Sequence, residues 1–230
     1  MPGRIVRAGP MSGTRRRRQE IHRAILQAAI REFARNGLEG TSTQTLADAA
    51  GLSKAQLHYY ISSKLELYEE ALVHIIAEWK HIFFVDSDST DPARVIGSYI
   101  ARKVRHSIEH PEVTRLFARE LSRGAPVLRR HWGALKENVD RASALIEGWI
   151  ERGLIEPVDP ILFQMHIWAV TQHYAEYEAQ ARHLLGLRDV ESLDADRIAV
   201  EATRMFLMRC GLTPDDSAAA LSQPAFPASS

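Results

Sequence analysis

Apolar positions recur along this chain at intervals of three and four, and alternating β-branched runs are few. That is the period of an α-helix; a half-buried strand would alternate. Ile21, Ile25, Ala28, Ala29 and Phe33 form the first stripe, on a helix expected over 16–36. Gly37 follows it as a natural left-handed C-cap. Leu46, Ala49 and Ala50 mark a short second helix opened by Ser42 or Thr43. Gly51 ends that helix, and Ser53 opens a third that runs to Tyr60. Ser63 and Glu66 have the Ser-x-x-Glu spacing of a capping box, at the start of a long fourth helix reaching about Phe84. The polar, turn-rich segment 85–92 is the expected hinge. Further helices are expected at 92–109, 112–123, 126–152, 160–185 and 191–210. Pro111, Gly124, Pro126, Gly153, Pro157 and Gly186 punctuate them, and Asp159-Pro160 is an N-cap followed by proline at the first helical position. With no hairpin signal and no repeat, the expected fold class is all-α.

Charge changes the picture. The 230 residues carry no net charge, which taken alone argues against a nucleic-acid partner. Residues 1–64, however, hold eleven Lys/Arg and four Asp/Glu, a net of +7, so the remainder carries −7. A basic portion joined to an acidic body suits a protein that applies one part of itself to a polyanion. Cys210 is the only cysteine, so no intrachain disulfide can form, which fits a reducing cytoplasm. No run approaches the roughly 18–20 apolar residues that span a bilayer, so no membrane partner is expected.

The segment 41–64, TSTQTLADAAGLSKAQLHYYISSK, is two short helices around a tight turn, the unit that lays its second helix in the DNA major groove. Leu57 points inward at helical spacing from Ala50 and Ile61. Lys54, Ala55, Gln56, His58, Tyr59 and Tyr60 are left on or near the outer face. Gln56 can pair with adenine through both amide atoms, and Lys54 can donate to guanine or phosphate. Ala55 permits close approach to a thymine methyl. Thr43, Ser53, Tyr59, Tyr60 and Lys64 can donate to phosphate oxygens. Arg15 to Arg18 are expected as a flexible basic arm adding salt-dependent affinity. A helical hairpin with a merely solvated polar face, part of an adaptor that binds protein, is the alternative.

The run Gly51-Leu52-Ser53-Lys54, then Leu57-His58-Tyr59-Tyr60-Ile61, Ser63-Lys64 and Glu66, resembles the signature of TetR-family transcriptional regulators. So do Ala29, Phe33, Gly37 and Gly40-Thr41-Ser42 upstream; the match covers about residues 20–70. His58 departs from the usual tyrosine or other large residue, and Ile61 from the usual phenylalanine. Ile61 keeps apolar volume, whereas His58 can alter base preference. The resemblance implies an all-α homodimer on double-stranded operator DNA, with a larger helical domain that binds a small-molecule effector. Expected boundaries are a disordered basic arm at 1–14, the DNA-binding domain at 15–62, the regulatory and dimerisation domain at 63–212 and a disordered tail at 213–230.

Three stretches of the larger domain, 110–128, 144–160 and 167–177, resemble the pyrimidine-utilisation regulators of that family. The resemblance implies an effector such as uracil or thymine, with another small molecule as the alternative. On the helix expected at 160–185, Ile161, Met165, Trp168, Gln172 and Ala175 are spaced to share a face, with Gln172 its one polar member. An amide complements the imide edge of a pyrimidine, and Trp168 can stack on the ring. Lys103, near the stripe Ile96, Tyr99, Ile100 and Ser107, and Glu120, among Val113, Leu116, Phe117 and Leu121, intrude as ligand contacts or a structural ion pair. Trp79 and Phe83 lie on the fourth helix, and Tyr174 serves either ligand or dimer. A core or interface role competes for each of these. Dimerisation is expected on Phe163, Ile167, Val170, Tyr174 and Tyr177, and on Leu193, Ile198, Ala202, Met205, Phe206 and Met208.

His106, Glu109 and His110 match the H-x-x-E-H zinc-peptidase pattern, but Pro111 ends the helix at once and ten histidines make chance matches easy. No phosphate loop, nucleophile elbow or Cys–His pair is present. No metal, cofactor or enzymatic activity is expected.

Overall fold

The computed structural model describes residues 13–79, 90–188 and 190–213. Among these, every regular element is a helix. Residues 1–12, Phe83 and the end of the fourth helix, 85–89 of the expected hinge, and the tail from 214 lie outside the described residues.

Two compact units part between Ala71 and Leu72. The first holds α1 (Gly13–Gly40), α2 (Thr43–Ala49), α3 (Lys54–Tyr60) and the first turns of α4 (Lys64–Trp79). Its core is Ile25, Ala29, Phe33, Leu46, Leu57, Leu67 and Tyr68, each at most 1% exposed. The Phe33 and Tyr68 rings meet edge to face at 5.0 Å. Gly37 breaks helical geometry within α1 at φ 72°, where a Cβ would be strained. Arg15 to Arg18 are not a flexible arm: they form exposed turns of α1 itself. Arginine is a good helix former, and Arg16 pairs with Glu20 one turn on at 3.2 Å.

The second unit holds the rest of α4, α5 (Pro92–Glu109), α6 (Pro111–Ser122), a 3₁₀ turn (Leu128–His131), α7 (Trp132–Glu151), α8 (Pro160–Glu176), α9 (Glu178–Leu184) and α10 (Ala195–Arg209). α5 packs against α8 and α10, and α8 also meets α6 and α7. The helix expected at 126–152 is two elements, and the one expected at 160–185 breaks at Tyr177. At that break Arg115 donates Nε to the Ala175 carbonyl at 2.8 Å and pairs with Glu178 at 2.6 Å. An unbroken helix would offer that carbonyl to the amide four residues on. Cys210, at the end of α10, is 1% exposed, and burial pushes its thiol up to about 11. No helix among the described residues is long and apolar enough to cross a membrane.

Candidate DNA-reading head and effector site

The α2–α3 corner is built by local capping. Ser42 accepts from the Thr45 amide at 3.0 Å, and Gly51 turns the chain at φ 70°. Ser53 accepts from the Gln56 amide at 3.2 Å, while Gln56 Oε1 accepts from the Ser53 amide at 2.8 Å. This reciprocal box lets a seven-residue helix hold its shape, with Leu57 fully buried as its anchor. Ser53, Lys54, Ala55, Gln56, His58 and Tyr59 are all exposed, with Tyr59 at 70%; Tyr60 and Thr43 are half-buried. Tyr59 packs edge-on against Tyr60 at 5.2 Å and carries the Arg18 guanidinium 5.7 Å from its ring centre. Lys64 is placed differently from a free phosphate anchor. It is half-buried, and its ammonium donates to the Thr41 carbonyl at 2.8 Å, tying the start of α4 to the α1–α2 corner. Thr41 is itself held by its hydroxyl, which donates to the Gly37 carbonyl at 2.7 Å. Gln56 likewise has its amide oxygen committed to the box, which leaves its NH₂ as the available reader.

The expected effector residues fall in several places. Lys103 is 5% exposed on α5, with its ammonium 4.4 Å from the Trp79 ring centre. Phe117 packs on the same indole at 4.6 Å. Burial lowers Lys103 to about 8. One turn earlier Tyr99, which the sequence pattern placed only in the core, accepts a hydrogen bond from Trp168 Nε1 at 2.8 Å. Burial pushes its phenol far above the ordinary range. One turn later His106 is buried and lowered to about 4 by that burial, by the charge on Lys103 and by His110. Tyr99, Lys103 and His106 thus form a polar line along one face of α5.

Glu120 is 1% exposed, and its Oε1 is engaged by backbone. That oxygen accepts from the Val127 amide at 2.6 Å and the Leu128 amide at 3.1 Å, capping the 3₁₀ turn. The stripe expected on α8 is rotated. Ile161 and Met165 are 49% and 50% exposed, whereas Phe163, Gln164, Ile167, Thr171 and Ala175 face inward. Gln164, not Gln172, is the buried amide, donating to Ser143 Oγ and the Pro160 carbonyl, both at 3.0 Å. Gln172 is half-buried. Tyr174 lines a separate pocket of about 110 Å³ with Ser107, Glu178 and Arg182. The residues expected at a dimer interface divide between core and surface. Phe163 and Phe206 meet internally at 5.5 Å, and Ile167, Ile198 and Ala202 are buried. Ile161, Leu162, Met165, Tyr177, Met205 and Met208 are exposed, at 49–68%. His106 and His110 approach at 5.3 Å between ring centres, yet no group of three metal-ligating side chains gathers among the described residues.

Residues 25–71 match the family described as bacterial regulatory proteins, tetR family, and residues 72–213 match the C-terminal region of YcdC-like protein. The chain belongs to the TetR family. Within it, the HTH-type transcriptional regulator RutR of Escherichia coli (strain K12) is 39% identical over 170 residues, covering 73% of this chain and 80% of RutR. The HTH-type transcriptional repressor SCO4008 of Streptomyces coelicolor is 30% identical over 152 residues, covering 64% of this chain and 76% of its own. Of solved TetR-like folds, AibR in complex with isovaleryl coenzyme A and operator DNA aligns with a TM-score of 0.64 at 20% identity, over 84% of this chain and 98% of that one. KstR2 of Mycobacterium tuberculosis aligns at 0.65 and 21% identity, over 90% and 98%. At such identities those two structures establish the shared fold alone. As a TetR-family protein the chain is a DNA-binding transcriptional regulator and not an enzyme.

Proposed function

We propose that the chain acts as a cytoplasmic homodimeric repressor that binds a palindromic operator and is released by a small effector of the pyrimidine class. The observation that carries the DNA half is the exposed face of α3, set on a buried Leu57 and a closed capping box. Lys54, the Gln56 NH₂ and His58 read bases, and Ala55 lets the backbone come close. Thr43, Ser53, Tyr59, Tyr60 and the helical Arg15 to Arg18 hold phosphates. Lys64 serves by fixing the corner. The dimer uses the exposed Leu162 and Met165 of α8 and Met205 and Met208 of α10, apolar surface that a lone chain leaves in water.

The pyrimidine half rests on the resemblance of 110–128, 144–160 and 167–177 to pyrimidine-utilisation regulators, and on Lys103, Trp79, Trp168 and Tyr99 as polar groups within an apolar domain. Trp79 stands on α4, whose first turn carries Lys64. An effector that favours one setting of α4 changes the spacing of two heads, whose half-sites lie about one DNA turn, roughly 34–36 Å, apart. Fluorescence anisotropy with an operator duplex tests the proposal. Salt-dependent, sequence-specific binding is expected, weakened by Lys54→Ala and by Gln56→Ala, and reversed by uracil or thymine. Binding without sequence preference would sink the DNA half, and indifference to millimolar uracil and thymine would sink the pyrimidine half.

A further inference from the structure

Among the described residues Lys103 is a buried cation without a counter-ion. It is 5% exposed, and no carboxylate among the described residues lies within ion-pair distance of its ammonium. Glu78, beside Trp79 in sequence, is engaged by His74 at 3.1 Å. Glu120 is engaged by backbone amides. His106 offers no charge of opposite sign. Its ammonium lies against the face of Trp79, 4.4 Å from ring centre to Nζ. That indole carries a second unmet need: its Nε1 is buried and has no acceptor among the described residues. Buried donors are almost always satisfied, and buried charges are paired. Two orphan donors side by side, one charged, walled by Phe117, describe a site that is complete only with an acceptor bearing negative charge.

We infer that Lys103 and the Trp79 N–H receive an anionic oxygen of the effector, so that the ligand is a small organic acid. The inference rests on the effector reading above and narrows it. A neutral pyrimidine offers carbonyl oxygens and leaves the ammonium uncompensated. A pyrimidine carrying a carboxylate, or the ureido acid formed when water opens the ring of its 5,6-dihydro form, supplies the missing charge. Charge-assisted bonds to both donors then hold it.

The test is calorimetric titration of the full chain with four probes: uracil, orotate, N-carbamoyl-β-alanine and benzoate. The expected result is binding of orotate or the ureido acid at least about tenfold tighter than uracil. Lys103→Met, which replaces a buried charge by apolar length and should fold, is expected to abolish that preference, weakening the acids at least about tenfold more than it weakens uracil. Trp79→Phe keeps an aromatic face, removes the N–H, and should weaken the anions several-fold. Uracil binding as tightly as the acids, or an anion preference that survives Lys103→Met, overturns the inference and leaves the pyrimidine reading standing. Benzoate binding alone, lost in Lys103→Met, supports the charge inference and removes the pyrimidine. Failure of all four probes counts against both.

Discussion

A carboxylate at 1% exposure must find donors, and Glu120 finds them in the amides of Val127 and Leu128. The chain reaches that cap through Gly124 and Ala125, both in the left-handed region at φ 85° and 56°. Ala125 carries a Cβ there, a conformation that costs about 1–2 kcal/mol, which the cap helps to hold. Removing the carboxylate strands two buried amides, so Glu120→Ala is expected to lower unfolding stability by about 2–4 kcal/mol in denaturant titration. A loss under about 1 kcal/mol would show that the turn does not depend on it. His106 makes a prediction with a sign. Its folded value of about 4 lies below the ordinary 6.5, because burial, Lys103 and His110 all oppose its charge, with only Glu78 favouring it. Between those two values the unfolded chain binds the proton and the folded chain does not. Stability should therefore fall as pH drops from about 6.5 to about 4, by up to about 3 kcal/mol. His106→Gln should flatten that part of the profile, and an unchanged slope would assign it to other groups.

At the scale of elements, what was legible in the sequence was what is local. The caps at Ser42 and Ser53 and the turn at Gly51 depend on neighbours within a few residues, and they stand where the spacing placed them. The orientation of α8 is not local. Its apolar residues surround the helix, and tertiary contact with α5, α6 and α7 selects the face bearing Phe163, Ile167, Thr171 and Ala175 over that of Ile161 and Met165. The break at Tyr177 is set by Arg115, sixty residues from Ala175. Like charge along Arg15 to Arg18 suggests a loose arm, but the intrinsic helix preference of arginine prevails and the run continues α1. A tyrosine in an apolar stripe, as Tyr99 is, gives no sign in sequence of a hydroxyl partner on another helix. On α3 the prediction concerns the box. Ser53→Ala should destabilise the first unit by about 1 kcal/mol and weaken operator binding, because the reading helix loses its start. Hydrogen exchange at the Gln56 and Leu57 amides reads the effect directly. Unchanged protection there would mean that burial of Leu57 alone holds the helix.

At the scale of the molecule, zero net charge conceals a division into a basic reading portion and an acidic remainder. Operator affinity should therefore fall steeply with salt even though the isoelectric point is near 7.2. The exposed methionines make the remaining prediction. Met165→Glu with Met205→Glu should yield monomers in sedimentation and lose operator binding with them; a dimer that survives both charges would place the interface elsewhere. Cys210 supplies the means to watch this protein work. As the sole cysteine, buried and with its thiol held in the unreactive protonated form, it leaves the surface blank to maleimide chemistry. A cysteine introduced at Glu39 or Gln44, on exposed positions of the first unit, would take up a spin label alone. Two such labels in a dimer form a molecular ruler, and the separation of the heads becomes a spectroscopic distance, read with and without effector in the otherwise native chain.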